Sequence, residues 1–259
     1  MGVGNVLRTL RAVGRWFTQT VQAVGEAFGD GVREGLAEHR RRSAAGNSDG
    51  VRRALVLTPV AVLGHIAKAD GRVSEAEAKY VRGYMVFVLA GLRGNRSDLA
   101  DLRRAFEHGK SKDFDLQHAV GEFRDVVTQR LDRSELENLF RNALGMAWAD
   151  GSVHPAQRGI LDKMALTLGL SSGGVSVIEE MAATDAHGEL STAQKLAAAR
   201  MLLGLGSFST EEEVHSAYSE RAADLQRLTA QGFPQKINEE IVEALGALHE
   251  AYVLILSTK

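Results

Sequence analysis

Three acidic side chains, Asp70, Glu77 and Asp150, sit in a phrase that the chain writes twice. The first copy reads HIAKADGRVSEAE from His65, and the second reads GMAWADGSVHPAQ from Gly145. Carboxylates recurring at a fixed spacing are the hard oxygen ligands that calcium or magnesium takes. Taken as an EF-hand, Asp70, Gly71, Val73 and Glu77 fall at loop positions five, six, eight and twelve. Positions one and three must then carry oxygen, yet they are Ile66 and Lys68. In the second copy they are Met146 and Trp148, and position twelve is Gln157. Neither loop builds an EF-hand cage. A cation site needs another arrangement, in which two packed halves bring Asp70, Glu77 and Asp150 together. The competing reading is that Asp70 and Asp150 only bond nearby backbone in turns.

Read as helix corners, both phrases make sense. An apolar helix ends near Ala69 and Asp70, and Gly71 supplies a left-handed stop. Ser74 caps the next helix, and Glu77 closes a capping box three residues later. In the second copy His154 takes the cap position, Pro155 the first helical position and Gln157 the box. The duplication is therefore architectural first.

The elements that would hold these corners are helical. Hydrophobic residues make up 44% and charged residues 25% of 259, which suits a soluble globular chain. With three prolines and few aromatic residues, the composition leans to helix. A formal charge of −2 gives no global field that would draw nucleic acid. The chain has no cysteine, so disulfides, thiolate nucleophiles and Cys-ligated metals are excluded. The histidines form no i, i+4 pair and no His-Glu-x-x-His frame, and no P-loop or Gly-x-Ser-x-Gly elbow appears. Catalysis is not expected. The run LVLTPVAVLGHIA, from Leu55, is too short to span a bilayer and reads as a buried core helix.

Near the N-terminus Val3, Leu7, Leu10, Phe17, Val21, Val24 and Phe28 fall on one helical face. Arg8, Arg11 and Arg15 cluster on another, with Trp16 at the margin. A basic amphipathic helix with Trp16 and Phe17 suits an anionic membrane surface. Packing on its own domain, or on a second copy as a homo-oligomer contact, is the alternative. Several glycines weaken such a helix in water. AEHRRRSAAGNSDGVRR then reads as a basic linker.

Three stretches in order carry a family resemblance: GHIAKADGRVSEAE, FEHGKSKDFDLQHAVGEFR and ADGSVHPAQRGILDKMALTLGLS. Together they resemble the TerB-like helical domain of DjlA-type proteins, the membrane-anchored J-domain co-chaperones of bacteria. The resemblance runs from about residue 54 to about residue 183. It implies an all-α fold, a TerB-like bundle of roughly seven helices in two related halves. It also implies a cytoplasmic protein on the cytosolic face of the inner membrane, with links to tellurite stress and metal binding. A divalent metal would fall to Asp70, Glu77 and Asp150.

The last third resembles a J domain. Leu203-Gly204-Leu205, Thr210 to Val214, Ala217-Tyr218 and Ala251-Tyr252 match its frame, and AQGFP resembles the DjlA-type loop. Helices are expected near 192–204, 210–228 and 237–257. Ser191 with Gln194, and Ser209 with Glu212, are the expected caps. Working J domains carry His-Pro-Asp after the second helix to trigger a DnaK-type chaperone. Here YSERAADLQRL from Tyr218 lacks that tripeptide and is about two residues shorter. The family's second helix is basic, whereas EEEVHSAYSERAAD is acidic to neutral. Charge complementarity guides such encounters, so DnaK activation by the usual route is expected to be lost. The expected organisation is an N-terminal helix and linker over 1–50, a TerB-like domain over 51–185 and a degenerate J-like domain over 186–259. The expected role is a scaffold that recruits protein partners, with co-chaperone and metal-binding stress protein as alternatives.

Overall fold

The structure is a computed structural model that describes residues 48–131, 133–176, 178–179, 192–206 and 208–258. The described residues are helical and contain no strand. Arg8, Arg11, Arg15, Trp16 and Phe17 lie outside them, as does the cap expected at Ser191.

The apolar run expected as a core helix is one. Helix α1 (Ser48–Arg52) enters a π-helical stretch (Arg53–Leu57) and continues as α2 (Thr58–Ala67). Nine of the ten α2 residues are buried. Such all-round apolarity is what a helix at the centre of a bundle requires. The span 50–67 is long and apolar enough to cross a membrane, but 72% of it is buried inside the fold. The π-turn has a local cause. Pro59 lacks an N–H, and its ring would strike the carbonyl four residues earlier in a regular helix. The Thr58 N–H donates instead to the Arg53 carbonyl, one residue further back.

Around α2 lie α3 (Glu75–Leu92), α4 (Arg96–Gly109), α5 (Leu116–Arg130), α6 (Ser134–Ala147) and α7 (Pro155–Leu168). Helices α4 and α6 flank α2, and α7 closes over α5 and α6. Side chains start several of these elements, Ser74 where its spacing predicts it. Ser74 and Asn95 cap α3 and α4 with complete capping boxes, and Asp115 caps α5. The tail is α8 (Thr192–Leu202), α9 (Glu211–Thr229) and α10 (Gln235–Ser257). Both α8 and α9 pack on α10, while α9 and α10 also pack on α3. One continuous apolar cluster runs from Val51 to Ile255.

One cap is shifted. Thr210, not Ser209, caps α9: its Oγ1 accepts the Glu213 N–H, and Glu213 accepts the Thr210 N–H at 2.6 Å. Ser209 instead donates its hydroxyl to the Gly206 carbonyl. Both Ser209-x-x-Glu212 and Thr210-x-x-Glu213 satisfy the capping-box pattern. The chosen register turns Val214 fully into the core.

Helices α2 and α4 cross with backbone nearly touching. A methyl added at Gly109 would lie 1.8 Å from the Ala61 carbonyl oxygen, and one at Gly64 2.3 Å from that of Phe106. No side chain can yield there, because the obstacle is backbone. Gly109→Ala is expected to cost about 3 kcal/mol. Gly121, inside α5 with open space around it, should gain about 0.5–1 kcal/mol as alanine. Urea denaturation of both variants checks this; equal midpoints would disprove the close crossing.

Candidate functional site

The two corners have the same structure, residue for residue. In the first, the Lys68 N–H donates to Gly64 O, Ala69 N–H to Ile66 O and Gly71 N–H to Lys68 O. In the second, Trp148, Ala149 and Gly151 repeat those bonds to Leu144, Met146 and Trp148. Gly71 and Gly151 both take positive φ, 102° and 95°. That conformation is strained for a side-chain-bearing residue, which is why glycine stands at both.

The caps repeat as well. Ser74 Oγ accepts the Glu77 N–H at 3.1 Å, and Glu77 Oε2 accepts the Ser74 N–H at 2.8 Å. Across the repeat, His154 Nδ1 accepts the Ala156 N–H at 3.2 Å, and Gln157 Oε1 accepts the His154 N–H at 2.9 Å. His154 can do this only with Nδ1 unprotonated. The two box partners then meet. Gln157 Nε2 donates to Glu77 Oε1 at 2.9 Å, with both residues 2% exposed. The Glu77–Gln157 bond therefore joins equivalent positions of the two copies of the phrase.

Burial raises the Glu77 pKa above the ordinary carboxylate range, the Ser74 hydrogen bonds oppose that, and the charges of Asp70 and Asp150 raise it further. The three expected ligands are thus near enough to act on one another. They do not form a metal site. Glu77 directs one oxygen to Ser74 and the other to Gln157, while exposed Asp70 accepts the Arg72 N–H at 3.0 Å as a turn residue. Among the described residues no group of three or more His, Asp or Glu could hold a metal ion. The amide of Gln157 brings a donor where a cation would need another oxygen. Asp70, Glu77 and Asp150 are corrected from a ligand set to a structural corner.

His65, on α2, is half-buried beside Phe114, with ring centroids 5.3 Å apart. Its Nδ1 donates to the Gly109 carbonyl at 3.3 Å, and burial pushes its pKa down. A cleft of about 500 Å³ opens nearby between the π-turn, α4 and α5, lined by Arg53, Asp101, His108, Phe114 and His118 among others. Its residues come from three separated segments, so no spacing in the sequence announces it.

The J-like tail is fastened to the bundle. Arg82 on α3 bonds Glu240 on α10 at 3.1 Å, and Lys79 pairs with Glu243 at 2.8 Å. Burial raises the Glu240 pKa, while the Arg82 hydrogen bond holds it down. Arg96 donates to the Gln231 and Gly232 carbonyls at 2.8 and 2.5 Å. The α9–α10 loop, where AQGFP lies, is thereby held against the bundle. Helix α9 runs unbroken through Thr229, across the stretch where the J-domain trigger was sought. On the hairpin's outer side Tyr218 and Tyr252 stack at 4.4 Å, flanked by His215 and His249. The sequence reading used both tyrosines only as frame markers and missed this cluster. The i, i+3 spacing of His215 with Tyr218 and of His249 with Tyr252 was its available signal.

Residues 57–180 match the family model for tellurite resistance protein TerB. The chain is 29% identical over 226 residues to the co-chaperone protein DjlA of Vibrio vulnificus strain CMCP6, covering 77% of this chain and 76% of the relative. It is 30% identical over 190 residues to the DjlA of Shewanella oneidensis, covering 70% and 69%. Against the Yersinia pestis protein of that name it is 36% identical over 116 residues, covering 45% and 40%. No solved structure matches.

The Glu77–Gln157 contact sets a test. Gln157→Glu places a second carboxylate against Glu77, and like charges there raise the pKa at which the pair takes up a proton. The variant is expected to lose about 2–4 kcal/mol at neutral pH. A raised folded-state pKa means that the folded form binds the proton more tightly than the unfolded one, so the loss shrinks as pH falls toward about 5. Denaturant midpoints at both pH values measure it; parental stability at neutral pH would show that the two side chains do not meet.

Proposed function

The chain belongs to the family of DjlA-like proteins built on a TerB domain, and from that premise we propose a non-catalytic adaptor that displays helical faces to a protein partner. One observation carries this reading: α9 continues as regular helix to Thr229, and the chain contains no His-Pro-Asp. The chain thus lacks the tripeptide, and the stretch from Tyr218 to Leu228 is helix. Arg96 adds to this by binding the backbone of the following loop, which fixes the hairpin on the bundle. The names of the relatives describe a co-chaperone and a resistance protein, neither of which specifies a reaction.

A second reading has its own support. The relatives are named co-chaperones, and the similarity covers 77% of this chain. On that reading the protein regulates a DnaK-type chaperone through a surface other than the usual trigger. The ATPase rate of a DnaK-type chaperone from the same organism separates the two. We expect no stimulation above background when the full chain is added; stimulation would overturn the adaptor reading in favour of the co-chaperone.

The same proposal places the protein at the cytosolic face of the inner membrane. Support comes from Arg8, Arg11, Arg15, Trp16 and Phe17, a basic and aromatic set suited to anionic headgroups. Full-length protein should float with phosphatidylglycerol vesicles, and a variant lacking residues 1–30 should not. Equal flotation of the two would remove the membrane from the proposal.

A further inference from the structure

We propose that Glu240 makes the docking of the α8–α10 tail on α3 pH-dependent, closing it in mild acid and loosening it as pH rises. The inference is independent of the adaptor reading and concerns how the tail is held.

The seam sets a carboxylate where it is poorly served. Glu240 lies between α10 and α3 and is 4% exposed. Its Oε1 accepts from Arg82 Nε at 3.1 Å. Its Oε2 is buried and finds no hydrogen-bond partner among the described residues. Arg82 also divides its guanidinium, since its Nη2 reaches the exposed Glu75 at 3.0 Å. A charged carboxylate with one dry oxygen costs more to bury than a neutral one. Elsewhere in the seam a cavity of about 30 Å³ lies between Phe87 and Ala90 of α3 and Leu225 and Leu248 of the tail. The walls of such a gap lack contact partners. The other ties between the two helices, Lys79 with Glu243 at 2.8 Å and Lys236 with Glu75 at 3.5 Å, lie near the surface and add little.

The charges that act on Glu240 are Arg82 and Lys79 of α3 and Glu243 of its own helix. From α9, Asp224 pairs with Arg93 and Arg227, while α8 carries Lys195 and Arg200. Burial raises the Glu240 pKa above the ordinary glutamate value of about 4.5, and the Arg82 hydrogen bond opposes this without cancelling it. In a released tail Glu240 is solvated and returns to the ordinary range. The docked form therefore holds the proton more tightly than the released form. The contribution to docking is complete below about 4.5 and is lost as pH rises through the docked-state pKa. Glu75 has the opposite sign. The Arg82 hydrogen bond lowers its pKa, so it changes charge below about 4.5, outside this window. Release uncovers the sides of α9 and α10 that the docked tail turns to α3. Proton uptake by one side chain thus controls access to a surface that no partner reaches in the closed form.

Hydrogen exchange of the full-length chain, read by mass spectrometry from about pH 5 to about pH 7.5 and corrected for intrinsic rates, measures the opening of each helix. Opening of α10 should rise about 3-fold or more across that range, while α6 and α7 change less. Glu240→Gln keeps an acceptor for Arg82 and cannot titrate, so it should flatten the rise. The histidines are common to both proteins and cancel in the comparison. Arg82→Gln removes the charge that holds the Glu240 pKa down, so it should steepen the dependence instead. That variant should open α10 by about 10-fold at the upper pH and by less than about 3-fold at the lower one. A pair with a merely structural role would be weakened equally at both. Equal pH dependence in the parental protein and Glu240→Gln overturns the proposal, as does an Arg82→Gln effect that is the same at both ends of the range. Opening of α6 and α7 in step with α10 would also overturn it, because bundle and tail would then unfold as one.

Discussion

One hydrogen bond organises the bundle: Gln157 Nε2 to Glu77 Oε1, buried, between two residues that occupy the same place in the two halves. Each side chain already serves as the capping-box partner of its own helix. The bond therefore joins two helix starts rather than two free side chains, and it fixes the halves with little slack. Its asymmetry is what makes it tolerable. Two glutamates at this contact would set two charges against each other in a dry place, whereas two glutamines with their oxygens committed to the caps would leave a donor facing a donor. Glu and Gln provide one acceptor and one donor.

From that contact the structure extends through α3. Its N-terminal turn carries Ser74 and Glu77, and its flank carries Lys79 and Arg82, which hold α10. Its apolar face supplies Tyr80, Tyr84, Met85 and Leu89 to the common core. The Tyr80 hydroxyl reaches the Asn142 carbonyl on α6 at 3.2 Å, which ties the second half to the same helix. A single helix thus serves both halves of the bundle and the tail. Glu240 shows how closely the tail is fitted, since a carboxylate is buried at 4% exposure against Arg82. Removing either partner would leave a buried charge, so such pairs fix orientation even where they add little net stability. The hairpin is held in one pose on the bundle.

Much of this was legible because it is local. Ser74, Glu77, His154, Pro155 and Gln157 announced both corners through spacing alone, and the structure has the caps where that spacing places them. Gly71 and Gly151 announced the left-handed turns. Where two local solutions were equivalent, the spacing could not choose, and Ser209 was read for Thr210. The π-turn at Arg53–Leu57 had a visible cause in Pro59, but the run from Leu55 reads equally as one core helix. What the sequence could not express were the long-range pairings. Nothing in the order of residues says that Gln157 reaches Glu77, that Arg96 holds Gly232, or that His215 meets Tyr252. The metal reading went astray for that reason. It could not see that Glu77 has both oxygens committed to the Ser74 N–H and the Gln157 amide, and that Asp70 accepts the Arg72 N–H.

The tail shows that a frame resembling a J domain can be carried by packing residues alone. The J-like frame persists at Leu203 to Leu205, at Tyr218 and at Tyr252, because these residues sit in the joint apolar and aromatic packing of α8, α9 and α10. The trigger and the basic charge have no such structural duty and can be lost without disturbing the fold. Loss of charge is not neutral, however. Several acids of the tail have structural duties instead: Glu240 and Glu243 pair with Arg82 and Lys79 of α3, and Glu213 closes the α9 cap. The charge that distinguishes this tail from a basic helix is thus partly spent on holding it to the bundle.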